Sequence, residues 1–204
     1  MTDTTYVFAQ APGADADAPT LFLLHGTGGD ESQFMALGGQ LLPDARLVAP
    51  RGDVSEGGAL RYFKRTGEGR YDMADLTRAT GKMAAFLAAQ AGAGANIGFG
   101  YSNGANILAA VAFEAPDQLD SFILLHPLIP FTPAPQPGLK GKPVLITAGR
   151  RDPICPAPQT QALADWFTAQ GAEVTLFWHD GGHEIRQDEL LVVRDYLAGM
   201  STAA

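Results

Sequence analysis

A recurring apolar run is what most limits the fold of this chain. TLFLLH (20–25), ARLVAP (45–50), ANIGFGY (95–101), DSFILLH (120–126), PVLITAG (143–149) and EVTLFWH (173–179) are each strand-sized and nearly continuous in apolar character. A strand with water on one face alternates apolar and polar residues, and these runs do not. They predict strands buried on both faces, hence a mostly parallel sheet with helices on both sides. The stretches between them fit that scheme. Helices are expected over 31–42, 71–90, 103–115, 156–171 and 184–199, and a further edge strand over 5–10. In the 71–90 stretch Met73, Leu76, Met83, Phe86 and Leu87 fall on roughly one helical face. With 204 residues and neither repeat nor interior linker, one domain over 1–204 is expected, fraying at 201–204.

Composition narrows the function. The net charge of −8 argues against a general nucleic-acid or membrane-surface binder. The apolar runs are far too short to span a bilayer. No basic leader precedes an apolar stretch at the N-terminus, and Cys155 is the only cysteine, so neither an internal disulfide nor a cysteine metal cluster can form. These features suit a cytoplasmic protein.

In an open α/β sheet, ligands bind beyond the carboxyl ends of the strands. Four strand ends here carry chemistry. They lead into HGTGGDE (25–31), Ser102, RRDP (150–153) and HDGGHE (179–184). Gly100-Tyr101-Ser102-Asn103-Gly104 reads G-x-S-x-G, the turn that exposes a serine hydroxyl between a strand and a helix. Ser102, Asp152 and His183 follow in the chain order of α/β-hydrolase triads. In such a triad His183 takes the serine proton, and Asp152 fixes the imidazole and stabilises its charged form. The Asn103 N–H, at a helix start, and the Thr27 N–H are candidate oxyanion donors.

LLHGTGGDESQF, GYSNGANI, GRRDPICP and GGHE together resemble the compact carboxylesterase/phospholipase group of α/β-hydrolases, relatives of the acyl-protein thioesterases. RGDVSEGGALRYFKRTGEGRYDMADL is similar to the branch associated with resistance to hydroquinones. The resemblance covers nearly the whole chain. It implies an α/β-hydrolase fold without a large cap domain, a small-molecule ester substrate hydrolysed through an acyl-enzyme, and no metal or other cofactor. The thioesterase branch usually places Gln after the nucleophile, where this chain has Asn103, which makes thioesterase specificity less expected. A thioesterase or lysophospholipase acting on long acyl chains, a hydrolase of lactones or C–C bonds, and a catalytically silent small-molecule binder are the alternatives. The oligomeric state, monomer or homodimer, is open.

The remaining candidates have blander readings. Asp152 could simply pair with Arg150 or Arg151, and Asp180 is a weak rival for its role. His25 is expected to order the oxyanion loop, and His179 to make a structural hydrogen bond. His126 fits either core packing or the pocket wall. His179 and His183 have a metal-like spacing, but HDGGH contains two glycines and is not a helix. Cys155 reads as buried filler. Residues 51–70 hold Arg51, Arg61, Lys64, Arg65 and Arg70 against Asp53, Glu56 and Glu68, a local +2 in a chain of −8. The stretch is either a solvated loop tied by ion pairs or a border of the site, with Tyr62 and Phe63 lining a pocket. Leu128, Ile129 and Phe131 in the Pro-rich segment 126–138, together with Ile154, are further pocket candidates.

Overall fold

The structure is a computed structural model and describes residues 5–201. The chain runs β1 (Phe8–Ala11), β2 (Thr20–Leu24), α1 (Met35–Leu41), β3 (Arg46–Pro50), β4 (Val54–Glu56), β5 (Ala59–Arg61), β6 (Arg65–Gly67), β7 (Arg70–Tyr71), α2 (Met73–Gln90), β8 (Asn96–Tyr101), α3 (Asn103–Glu114), β9 (Ser121–Leu125), β10 (Pro143–Gly149), α4 (Ala157–Ala169), β11 (Glu173–His179) and α5 (Gln187–Ser201). The expected fraying falls on residues of which 202–204 lie outside the described range.

Seven strands form one sheet in the order β1-β3-β2-β8-β9-β10-β11. β1 pairs antiparallel with β3, and every other pair is parallel. Side chains alternate across the strands, and each face is covered by its own helices. Phe22 and Leu24 of β2 point into a core shared with α2, α3 and α4, through residues such as Met83, Ile107 and Phe167. Leu21 and Leu23 point the other way, into a core with Leu41 of α1 and Val193 and Leu197 of α5. This is the mostly parallel, doubly covered sheet that the apolar runs predict. Among the described residues no segment forms a separate cap domain.

Some boundaries and one face differ from expectation. Residues 31–34 form turns, and α1 begins only at Met35. α2 begins at Met73 because the Asp72 carboxylate accepts the Asp75 N–H and caps it. Leu76, Met83, Phe86 and Leu87 are buried as predicted, but Met73, in the first turn, is 49% exposed. Residues 54–71 form two small hairpins, β4–β5 and β6–β7, rather than a loop. No described helix is long and apolar enough to cross a membrane.

The strand order fixes where a site can be. From β2 the chain moves to β3 on one side, then crosses back to β8 on the other. The loops that leave the carboxyl ends of β2 and β8 therefore diverge and open a crevice, the topological switch point of an α/β sheet. HGTGG follows β2 and Ser102 follows β8.

Candidate active site

Ser102 lies between β8 and α3 with φ of 52°, a left-handed conformation that few L-residues adopt. The turn is tight enough to demand both neighbouring glycines. A Cβ on Gly100 would stand 2.5 Å from the Gly104 carbonyl oxygen, and one on Gly104 would stand 2.3 Å from that of Leu24. Both obstacles are backbone, which cannot swing aside. The Ser102 N–H donates to the Leu125 carbonyl at 2.9 Å, which pins the turn to β9.

The hydroxyl faces an imidazole. His183 Nε2 lies 2.9 Å from Ser102 Oγ, and His183 Nδ1 lies 2.7 Å from Asp152 Oδ2. The His183 loop is held by Tyr101, whose hydroxyl donates to the His183 carbonyl at 2.7 Å. The two loops that carry Asp152 and His183 are joined, since the Arg151 N–H donates to the Gly181 carbonyl. Neither Arg150 nor Arg151 pairs with Asp152. Arg150 lies 3.8 Å from Asp180, whose side chain is exposed and does not reach His183.

Asp152 is saturated with donors. Its Oδ1 accepts the N–H groups of Ile154 and Cys155, and its Oδ2 accepts from His183 and from a second imidazole, His126 Nδ1 at 3.0 Å. Burial alone would raise this carboxyl, but the hydrogen bonds from His126, His183 and Cys155 outweigh it and hold it well below the usual carboxylate range.

The oxyanion loop is fixed from several sides. The Gly52 N–H donates to His25 Nε2, so the ring proton sits on Nδ1 and is donated to the Gly26 carbonyl at 2.7 Å. Burial lowers the His25 pKa, which keeps the ring neutral for that task. His25 thus orders the loop, as expected. The Gly28 N–H donates to the Leu60 carbonyl, and Arg61 Nη1 donates to Thr27 Oγ1 at 2.7 Å. Asn103, at the first turn of α3, accepts the Tyr62 N–H on its side-chain oxygen. The β4–β5 hairpin therefore braces both residues expected to supply oxyanion amides.

A cavity of about 300 Å³ opens onto Ser102 and His183. Thr27, Asn103, Leu128 and Ile154 line it as expected, and Arg61, Arg65, Glu68, Tyr71, Asn106 and Cys155 complete much of the wall. Four expected pocket residues need correction. Tyr62 and Phe63 are fully buried and lie behind the wall rather than in it. Tyr62 stacks on His25, accepts the His25 N–H and donates to the Pro50 carbonyl. Phe63 packs on Tyr71, which is the ring that reaches the cavity. Ile129 and Phe131 line a separate cavity with Trp166. Each reading of the basic stretch holds in part: ion pairs tie it, though as hairpins, and it borders the site, though through Arg61 and Arg65. Glu56 pairs with Arg65 at 2.9 Å and lies 3.5 Å from Arg61, while those same arginines border the site.

Of the two places expected for His126, the pocket wall fails and burial holds: it sits behind Ser102, His183 and Asp152, fully buried, between Asp152 and Glu189 of α5. Cys155 is buried beside it as the filler expected, its thiol donating to the His126 carbonyl and pushed up by burial. His126, His179 and Glu189 have the composition of a metal site. However, the Gly181 N–H donates to His179 Nδ1, which leaves the ring proton on Nε2, the nitrogen that faces Glu189. The three form a hydrogen-bonded group, with no lone pair from His179 turned inward. Glu189 went unnoticed in the sequence, although Glu189, Val193 and Leu197 recur every four residues on the buried side of α5.

Known proteins resemble this chain over most of its length. The model of the dienelactone hydrolase family matches residues 65–189. MhqD of Bacillus subtilis (strain 168), named as a hydrolase, is 40% identical over 181 residues, 86% of this chain and 90% of that protein. The solved structure of Atu2452 from Agrobacterium tumefaciens, of unknown function, is 54% identical with a TM-score of 0.89 over 98% of both chains. A carboxylesterase from Bacillus cereus is 31% identical with a TM-score of 0.88, over 97% of this chain and 95% of that one. With the family model covering more than half of its length, the chain belongs to the dienelactone hydrolase family and is a hydrolase of the α/β-hydrolase fold.

Proposed function

We propose that this protein is a serine carboxylesterase that cleaves small, soluble esters through Ser102, His183 and Asp152. The observation that carries the reading is the unbroken line from Ser102 Oγ to His183 Nε2, at 2.9 Å, and from His183 Nδ1 to Asp152 Oδ2, at 2.7 Å. The likeness to the Bacillus cereus carboxylesterase supports an ester substrate.

The steps follow from the geometry. His183 removes the Ser102 proton as the hydroxyl oxygen attacks the ester carbonyl. The oxyanion that develops is met by the Asn103 N–H, where the α3 dipole favours negative charge, and by the Thr27 N–H. The imidazolium gives its proton to the departing alcohol, leaving an acyl-Ser102. Water activated by His183 then releases the acid. Asp152, ionised by its four donors, stabilises the imidazolium throughout.

The cavity argues for short acyl groups. At about 300 Å³ it is small, and Arg61, Arg65 and Glu68 stand in its wall. A long alkyl chain would have to desolvate those charges as it entered. A nitrophenyl-ester series from acetate to palmitate, run on the wild type and on Ser102→Ala, tests the reading. The expected result is a preference for short chains and, in the variant, a loss on the order of 10⁶ in kcat, as when a triad protease loses its serine. A modest loss in a folded Ser102→Ala would overturn the nucleophile, and a long-chain optimum would favour the lysophospholipase alternative.

A further inference from the structure

Behind the proposed triad the chain continues in the same chemistry, and nothing in Ser-His-Asp hydrolysis requires that it do so. Asp152 Oδ2 is shared between two imidazoles, His183 at 2.7 Å and His126 at 3.0 Å. His126 Nε2 reaches Glu189, 3.2 Å from Oε1. The side chains of His126, Asp152 and Glu189 are all fully buried. Glu189 is itself over-supplied with donors. It accepts from the Thr147 hydroxyl and, on Oε2, from the Arg186 N–H at 3.1 Å. The second bond is ordinary helix capping, in the manner of a Glu at the third position of a helix. The first is not, and neither is the approach of two imidazoles. His179 Nε2, which carries its ring proton, lies 3.8 Å from Glu189 Oε2 and 3.4 Å from His126 Nε2.

We infer that His126 and Glu189 are positioning residues of the triad: a buried imidazolium, held by Glu189, sits on the far side of the Asp152 carboxylate and sets how strongly that carboxylate supports His183. The inference rests on the proposed catalytic role of Ser102, His183 and Asp152. Both His126 nitrogens face carboxylate oxygens, and the ring donates to both when each carries a hydrogen; the Glu189 oxygen, 3.2 Å from His126 Nε2, is nearer than the competing donor His179 Nε2 at 3.4 Å, which favours the N–H over a bare lone pair. Two carboxylates with one imidazolium between them leave a single net negative charge in a dry interior. Two unscreened carboxylates would leave two, and such a pair is costly. The groups around His126 come from every packed element: Tyr101 from the end of β8, Asp152 and Cys155 from the loop after β10, His179 from the end of β11, His183 from the loop after it, and Glu189 from α5. Burial works against a charged ring, but the bonds from Asp152 and Glu189 prevail, raising His126 to about 9. His126 also holds φ of 51°, a left-handed turn like that of Ser102, directly after β9. That turn swings its ring under the site instead of into the core.

The consequence for catalysis has a definite sign. The imidazolium partly neutralises Asp152 as His183 experiences it. His126→Asn retains an N–H donor toward Asp152 but removes the charge. His183 then faces a more negative group, binds its proton more tightly, and stays protonated to higher pH. The acid limb of kcat/KM should therefore move up by about one pH unit, as expected for loss of one charge at this distance. KM should hardly change, because His126 does not line the cavity. A filler role would lower activity at every pH without moving the limb.

The experiment combines that profile with ¹⁵N-histidine NMR of the wild type and Glu189→Gln. One buried ring protonated at both nitrogens at pH 8, assigned to His126 and neutralised at lower pH in Glu189→Gln, is the expected result. An acid limb that does not move in folded His126→Asn, or a neutral His126 between pH 6 and 8 in the wild type, would overturn the inference. Should His126→Asn fail to fold, the wild-type spectrum decides. The spectrum needs no turnover, so failure of the esterase reading shows separately, as an active Ser102→Ala.

Discussion

Ser102 and Ala differ by one oxygen, but Ser102 and Gly differ by a backbone constraint as well. At φ of 52° a side chain is strained, and such strain costs about 1–3 kcal/mol. Ser102→Ala keeps the strain and Ser102→Gly releases it. We expect both variants to be inactive, with Ser102→Gly the more stable by about 1 kcal/mol in urea denaturation. Equal stabilities would show that the turn is relaxed. Gly100→Ala should do the reverse. Its Cβ would drive into the Gly104 carbonyl at 2.5 Å, and we expect a loss of about 1–3 kcal/mol together with misalignment of the nucleophile. Titration of the buried cluster gives a further expectation. Asp152 is depressed in the fold, so its contribution is complete above its unfolded value near 3.8 and is lost as pH falls through the depressed folded value. His126 is raised, so its contribution is complete below 6.5 and is lost as pH rises through about 9. Calorimetry across pH should find the melting temperature highest between the two unfolded values, 3.8 and 6.5, falling on both sides, and His126→Asn should flatten the alkaline fall.

At the scale of elements, the β4–β5 hairpin is a brace, and Tyr62 just beyond it is the strut. Its hydroxyl accepts the His25 N–H at 3.0 Å and donates to the Pro50 carbonyl at 2.9 Å, joining the ends of β2 and β3. Tyr62→Phe strands both buried groups. We expect a loss of about 1–3 kcal/mol in thermal or urea unfolding and a lower kcat with KM little changed, since the Thr27 loop loses part of its support. The brace was not legible in the sequence, and the reason is physical. β4 to β7 are two or three residues long, polar, and lack the apolar runs that announced the main sheet. β5 is tied to Gly28 and Thr27, partners far away in sequence that no local pattern announces. The sheet strands were legible because burial on both faces leaves a local signature. Ser102, Asp152 and His183 were legible as a group because strand ends and chain order can be read without knowing any distance. Tyr62 and Phe63 pointed in the right direction but to the wrong depth. Which of Arg61, Tyr62, Phe63 and Tyr71 meets the cavity depends on side-chain direction in an irregular segment, which residue type does not encode. Glu189 was within reach, since a carboxylate in step with Val193 and Leu197 is a misfit on an apolar stripe.

At the scale of the whole molecule, the acidic chain places Arg61, Arg65 and Glu68 in the wall of its cavity, with Glu56 against both arginines, so an entering ester meets charges of both signs. The sheet has a further consequence. Just past each of three strands, one amide reaches sideways to the next strand: Ser102 N–H to Leu125, His126 N–H to Thr147, and Arg150 N–H to His179. This staircase climbs from the middle of the sheet to β11, a strand with one open edge. Asp152 and His183 are mounted on the outer steps, and Ser102 on the inner one. A protein so built has a fuse. Local opening that starts at the outer edge separates Asp152 and His183 from Ser102 while β2, β8 and β9 remain paired. Amide exchange should be fastest at Arg150 and slowest at Ser102, and under rising urea ester turnover should fail before the helical circular-dichroism signal does. The enzyme would then switch off ahead of unfolding, and its inactivation would be reversible for as long as the inner strands hold.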